Sequence, residues 1–347
     1  MKAETSAPLK ALAACVAGGA LCAWLKTPLP WMVGPLFAMA LCKFAGADLS
    51  SPRFGRESGQ LIIGTALGLY FTPGVAREVL ANWHVLIAAA VLATALGWIC
   101  GLFLARYTGI DKTTAFFACV PGGATEMAIL GERFGAKPDR IALAQSLRIL
   151  MVVTVIPFSL ALAGVHGSDA YSQVAMAPDA LGLAQLLALG AVAGALLAWL
   201  RVPNAFMLGP LAVTIGFTVA EQHFSSMPGL LSNAGQLLIG CTLGSRFERE
   251  FVKKAPHFMF VVALSILLAM LLAGIGGWLL ARLGGLPVPT MVLATAPGGI
   301  AEMCITAKVL QLGVPLVTAA HVTRVLILVT TTAPMFRLAK RFAHGKP

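Results

Sequence analysis

VPGGATEM (residues 120–127) interrupts a stretch that otherwise reads as membrane helix, and APGGIAEM (296–303) repeats the interruption 176 residues later. Each places a helix breaker, two glycines and a carboxylate, Glu126 or Glu302, among apolar neighbours. Proline lacks the N–H that an interior helical turn needs, and glycine weakens a helix. The first break cuts 112–134 into two arms of about ten residues, each rising about 15 Å, half of a bilayer's hydrocarbon core. Two shapes fit: a helix broken at mid-membrane that still crosses, or a re-entrant hairpin that returns to its own side.

The repetition extends outward from the breaks. WMVGPL (31–36) matches FMLGPL (206–211), and GQLIIGTALG (59–68) matches GQLLIGCTLG (235–244). Arg148 matches Arg324. The chain therefore reads as a duplication: a first membrane repeat over 1–165, a polar linker over 166–179, and a second membrane repeat over 180–347. Each repeat offers six helical elements: 9–25, 30–46, 57–71, 78–107, 112–134 (broken) and 139–164, then 180–200, 204–221, 232–247, 256–283, 289–311 (broken) and 315–339. The fold class is an all-α polytopic membrane protein.

Composition agrees. Of 347 residues, 58% are hydrophobic and 11% charged, and mean hydropathy is +0.86; soluble domains carry about 25% charged residues. The net charge of +11 fits Lys and Arg gathered on the cytoplasmic side. No loop is long enough for a DNA-binding domain, so no direct nucleic-acid contact is expected. The first helix is expected to be retained: LAAC (12–15) resembles a lipoprotein box, but only four residues separate Lys10 from Cys15.

Charge also bears on topology. With the N-terminus inside and both fifth elements re-entrant, the inside collects 19 of the 25 Lys and Arg and the outside 4, with Arg148 and Arg324 inside helices. With all six elements crossing, the division is 12 to 11; with the third element not crossing, it is 15 to 8. The count favours ten crossings, two re-entrant hairpins, inverted repeats, cytoplasmic termini and an outside linker.

The breaks carry the candidate chemistry. A break at membrane depth leaves backbone groups without helical partners, which is tolerated where protein or a wet cavity surrounds them. The half-helices that follow present free N–H groups and a positive dipole end, an anion site. The expected binding residues are thus Pro121, Gly122, Gly123 and Glu126 with Pro297, Gly298, Gly299 and Glu302. Each carboxylate has a local reading as a cap on its half-helix and a functional one as a proton or cation carrier, since charge inside the membrane defaults to function. Arg148 and Arg324 follow their Glu by 22 residues, with Gln145 and His321 three residues before them on the same helical face. Each Arg either pairs with its Glu, pinning the hairpin, or grips a solute's acid group. Gln60 and Gln236 are secondary candidates in a glycine-spaced segment that also reads as close helix packing. The seven cysteines form no CxxC, and no HxH, HxxxH or HExxH occurs, so neither metal nor cofactor is expected.

Taken together, the paired PGGxxEM and GQLxIG blocks and the duplication resemble the membrane AbrB family, the AbrB duplication proteins of Gram-negative bacteria. Its members are often labelled ammonia monooxygenases or AbrB family regulators of gene expression. The resemblance implies a bacterial inner-membrane location and names no solute. By analogy, five-plus-five inverted repeats with broken elements look like the cation–proton antiporter and anion transporter superfamily. The expected partners are the lipid bilayer, a small solute and a coupling proton or cation, with a homodimer left open. The first expectation is a secondary transporter of a small anionic organic solute. The alternative is a membrane sensor acting on gene expression indirectly, with 245–254 (SRFEREFVKK) as partner surface. An oxygenase comes last, for want of a ligand cluster.

Overall fold

A computed structural model describes residues 6–167, 171, 176–247 and 256–344. The described residues are helical, without strands. In chain order the helices are α1 (Ser6–Trp24), α2 (Pro30–Phe44), α3 (Gly55–Gly68), α4 (Pro73–Ala81), α5 (Trp83–Thr108), α6 (Lys112–Cys119), α7 (Ala124–Arg133), α8 (Pro138–Leu162), α9 (Ala180–Trp199), α10 (Ala205–Val219), α11 (Gly229–Gly244), α12 (Pro256–Gly284), α13 (Val288–Thr295), α14 (Ile300–Val309) and α15 (Val314–His344). Most of the linker (168–170 and 172–175) and most of the 245–254 surface (248–254) lie outside the described residues.

Five helices, α1, α5, α8, α9 and α12, are long and apolar enough to cross a membrane. The α3–α4 pair, bent by 93°, makes a sixth candidate. Their outer faces stay apolar: Leu181, Val192, Leu196 and Trp199 of α9 are exposed, as are Leu267, Leu271, Ile275 and Trp278 of α12. Apolar faces of that extent suit lipid rather than water.

Most expected elements are present within a few residues of their bounds. The fourth is the exception, since α5 starts at Trp83 and the residues before it belong to the separate helix α4. Thr72 caps α4, accepting from Val75 N, with Pro73 in its first turn. Asn82 closes it, its side-chain amide donating to Glu78 O at 2.9 Å. These local caps outweigh the apolar run that made 78–107 read as one helix.

The sequence repeats are not separate bodies. One bundle joins α1, α2 and α3 of the first repeat to α9, α10 and α11 of the second. The other joins α5, α6, α7 and α8 to α12, α13, α14 and α15. The glycine-spaced segments stitch the first bundle across the repeats. A methyl group on Gly64 of α3 would lie 2.6 Å from Met207 O of α10, and one on Gly240 of α11 would overlap Met32 O of α2. Gly59 likewise faces Gly235 O, at 2.8 Å from such a methyl. Only glycine lets backbones approach this closely.

Each broken element is a closed hairpin. Thr114, in the first turn of α6, accepts from Lys137 N, just past α7, at 2.9 Å. In the second repeat Thr290 of α13 accepts from Gly313 N, just past α14, at 3.2 Å. Both ends of each hairpin therefore sit at one level, with the PGG turn at the far end. Asp111 braces the first mouth, accepting from Thr114 N and Thr114 Oγ1, both at 2.7 Å. Asp111→Ala is expected to cost about 1–2 kcal/mol through loss of this cap, measured as thermal unfolding of the purified protein. Indistinguishable unfolding of variant and wild type would remove the brace from the account.

Candidate functional site

The two PGG turns meet at one cavity of about 590 Å³. Pro121, Gly122, Gly123, Glu126 and Arg148 line it from the first repeat, and Gly298, Gly299, Glu302 and Arg324 from the second. Pro297 is not among the lining residues. The volume falls within the range of small-molecule pockets, about 300–1,000 Å³.

The repeats build their halves of the site with the same bonds. Arg148 donates through Nη1 to Val120 O at 3.2 Å and through Nη2 to Gly122 O at 3.0 Å. Arg324 donates to Ala296 O at 2.7 Å and to Gly298 O. Gln145 Nε2 donates to Phe117 O at 2.8 Å and to Val120 O at 2.9 Å. His321 Nε2 lies 3.0 Å from Leu293 O, the matching carbonyl, so that nitrogen carries the proton. These donors satisfy the orphan carbonyls where α6 and α13 stop, and each guanidinium sits at the negative end of a helix dipole.

Of the two readings left open for the arginines, the Glu–Arg pair is not formed. No ion pair joins Glu126 to Arg148 or Glu302 to Arg324; among the described residues the ion pair is Arg140–Asp139, at 4.0 Å. The arginines face carbonyls because two carbonyls at a helix end match the guanidinium fork. Gln145 and His321 stand behind the hairpins and do not line the cavity. Arg148 (5% exposed) and Arg324 (3%) are buried and line it, and their Nε atoms have no partner among the described residues.

The carboxylates turn back on their own half-helices. Gly123 and Gly299 are the N-caps of α7 and α14, three residues before Glu126 and Glu302. A methyl group on Gly123 would overlap Glu126 Oε2, and one on Gly299 would overlap Glu302 Oε2. Each carboxylate thus covers the positive end of its helix, the position of a capping box.

Around these lies a rim that motif reading passes over. Arg56, Arg133, Arg201 and Arg246 line the cavity with Gln60 and Asn204. Asn204 Oδ1 accepts from Arg56 Nη2 at 3.1 Å and from Gln60 Nε2 at 3.3 Å. Gln236, the repeat partner of Gln60, is buried and does not line the cavity. Three of the rim arginines have uncharged counterparts one repeat away, Ser232 for Arg56, Val309 for Arg133 and Tyr70 for Arg246, while Arg201 is matched by Lys26. In sequence they read as topology charges; the signal that separates them is this loss of match between otherwise faithful copies. Among the described residues no group of three His, Cys, Asp or Glu is placed to hold a metal ion.

Comparison with known proteins agrees with the repeated signature. The chain is similar to the "Uncharacterized protein YhjN" of Bacillus subtilis (strain 168), at 27% identity over 96% of this chain and 93% of that protein. It is similar to the "Putative regulator AbrB" of Escherichia coli (strain K12), at 24% identity over 91% of each. The family model described as "Transition state regulatory protein AbrB" matches residues 31–340, a span holding both PGG hairpins and every cavity-lining residue, and the chain belongs to the AbrB family.

Proposed function

We propose that the chain is a secondary transporter of a small anionic organic solute, driven by a proton or cation. The observation that carries this reading is the convergence of both PGG turns, both glutamates and both buried arginines on one cavity. The lining holds six arginines against two glutamates, so its field favours an anion. Broken helices meeting between inverted repeats are where such transporters hold substrates and coupling ions. The hairpin mouths closed by Thr114 and Thr290 support re-entrant elements, and with them ten crossings, inverted repeats and cytoplasmic termini in a bacterial inner membrane. The reading assigns no enzymatic step.

The test is uptake into proteoliposomes of benzoate, phthalate and 2-naphthalenesulfonate under an imposed pH gradient. Gradient-driven accumulation of at least one acid is expected, and it is lost in the Glu126→Gln/Glu302→Gln protein although that protein still inserts. Equal leak through protein-containing and empty vesicles for all three would count against transport. A second reading is favoured by the regulatory names of the family and of one relative: a sensor whose cavity reports solute binding to a cytoplasmic partner. Solute-dependent capture of a transcription factor without flux would select it.

A further inference from the structure

We infer that Glu126 and Glu302 occupy the seats that a solute's acid groups take, so that anion binding displaces these carboxylates and carries protons in with the solute. The inference rests on the cavity being a solute site, as the transport reading holds. Each seat is built from three parts. The ten-residue half-helices α7 and α14 start at Gly123 and Gly299, and both glycines line the cavity. Behind each start lies a buried guanidinium with an unpartnered Nε, on Arg148 or Arg324. Over each start lies the repeat's own carboxylate. Glu126 Oε2 is buried without a hydrogen-bond partner among the described residues. The seats hold a negative group now, and that group is the tip of a movable side chain.

Two negative groups cannot share one helix start. An entering acid group gains the dipole and the guanidinium field only when the glutamate leaves. Leaving is easiest once the glutamate is protonated, because a neutral carboxyl has little attraction for the helix start. The charged groups facing the glutamates are Arg148 from α8, Arg324 from α15, Arg56 from α3, Arg133 from α7, and Arg201 and Arg246 beside α10 and α11. Guanidinium groups hold their charge across the physiological range. Cys119 at the end of α6 beside Arg148, Cys304 on α14 and His321 behind the second hairpin are titratable neighbours, and none of them lines the cavity. The two glutamates therefore set the proton count. The lining also carries apolar side chains, Met127, Ile149, Met207, Ile239, Leu243 and Val325 among them. The ligand class is an organic anion with an apolar body and one or two acid groups, rather than an inorganic ion that would leave this surface wet.

The probe is 2-naphthalenesulfonate, whose sulfonate stays ionised throughout. Its binding to the purified full-length protein in nanodiscs is measured by calorimetry between about pH 8 and about pH 5. Uptake of a proton by a displaced carboxylate links binding to pH, so wild-type affinity should rise as the pH falls. The Glu126→Gln/Glu302→Gln protein should bind more tightly than wild type at about pH 8, with a flat profile. Matching thermal unfolding of the two proteins without probe shows that the variant is folded. A flat wild-type profile, weaker binding by the double variant at every pH, or no binding by either protein would each overturn the displacement. Steep, pH-linked binding without flux in proteoliposomes would sink the transport reading and leave displacement standing.

Discussion

Arg324→Leu is expected to destabilise the protein by about 2–6 kcal/mol, the cost of leaving two buried carbonyls unsatisfied at about 1–3 kcal/mol each. The guanidinium of Arg324 holds Ala296 O and Gly298 O, on either side of Pro297, while His321 holds Leu293 O one turn earlier. Leucine fills the volume and supplies no donor. Arg324→Lys is the milder change. Its ammonium is a point charge without a planar fork, so it can serve one carbonyl and not both. That variant should insert and lose about 1–3 kcal/mol, half of the leucine variant's cost, and lose gradient-driven uptake because the turn at Gly298 and Gly299 is no longer fixed. Arg148→Lys should behave in the same way, through Val120 O and Gly122 O. The measurements are thermal unfolding in detergent and proteoliposome flux. Arg324→Leu within about 1 kcal/mol of wild type, or full uptake by both lysine variants, would show that these side chains do not hold the turns.

Gly240→Val should be the most damaging single change away from the cavity. The added carbon overlaps Met32 O, a backbone atom of α2 that no rotamer change can move aside. Overpacking generally costs about 1–3 kcal/mol, and a clash with backbone belongs at or above the upper end. Gly64→Val meets Met207 O of α10 in the equivalent place, with its methyl position at 2.6 Å. By contrast Gly216→Val, on the same α10, meets nothing within 4 Å. It should be close to neutral, since valine is a better helix former than the glycine it replaces. Loss of folded protein for Gly240→Val with near-normal yield for Gly216→Val is the expected pattern. Equal yields would mean that the glycine contacts are not what holds the two repeats together.

Both predictions concern features that differ in how far the sequence exposes them. The breaks, their glutamates and their arginines are legible because proline and glycine act on the backbone locally, and because the second copy repeats them. Helix bounds follow from the same local chemistry, and they fail at 78–107, where Thr72 and Asn82 cap a separate helix within an apolar run. The partner of Arg148 is not legible. A carboxylate 22 residues upstream is the evident candidate for a cation, whereas the carbonyls that bind it become available only because the hairpin has ended a helix there. The rim of Arg56, Arg201 and Arg246 is legible only through the loss of match at Arg56 and Arg246, since no spacing relates the three side chains. Gln60 and Gln236 occupy matching sequence positions and unlike places, one on the cavity and one buried away from it. Sequence identity between copies does not carry over to exposure when the surroundings differ.

The exchange of helices between repeats has a consequence for biosynthesis. The ribosome completes α1, α2 and α3 long before it reaches α10 and α11, against which α2 and α3 pack. Until then those helices wait with the packing faces against lipid or a chaperone, and the first bundle forms only after α11 of the second repeat has been made. Proteins truncated between the repeats have no finished bundle to retain. Such fragments are expected to be cleared by membrane proteolysis faster than the full chain.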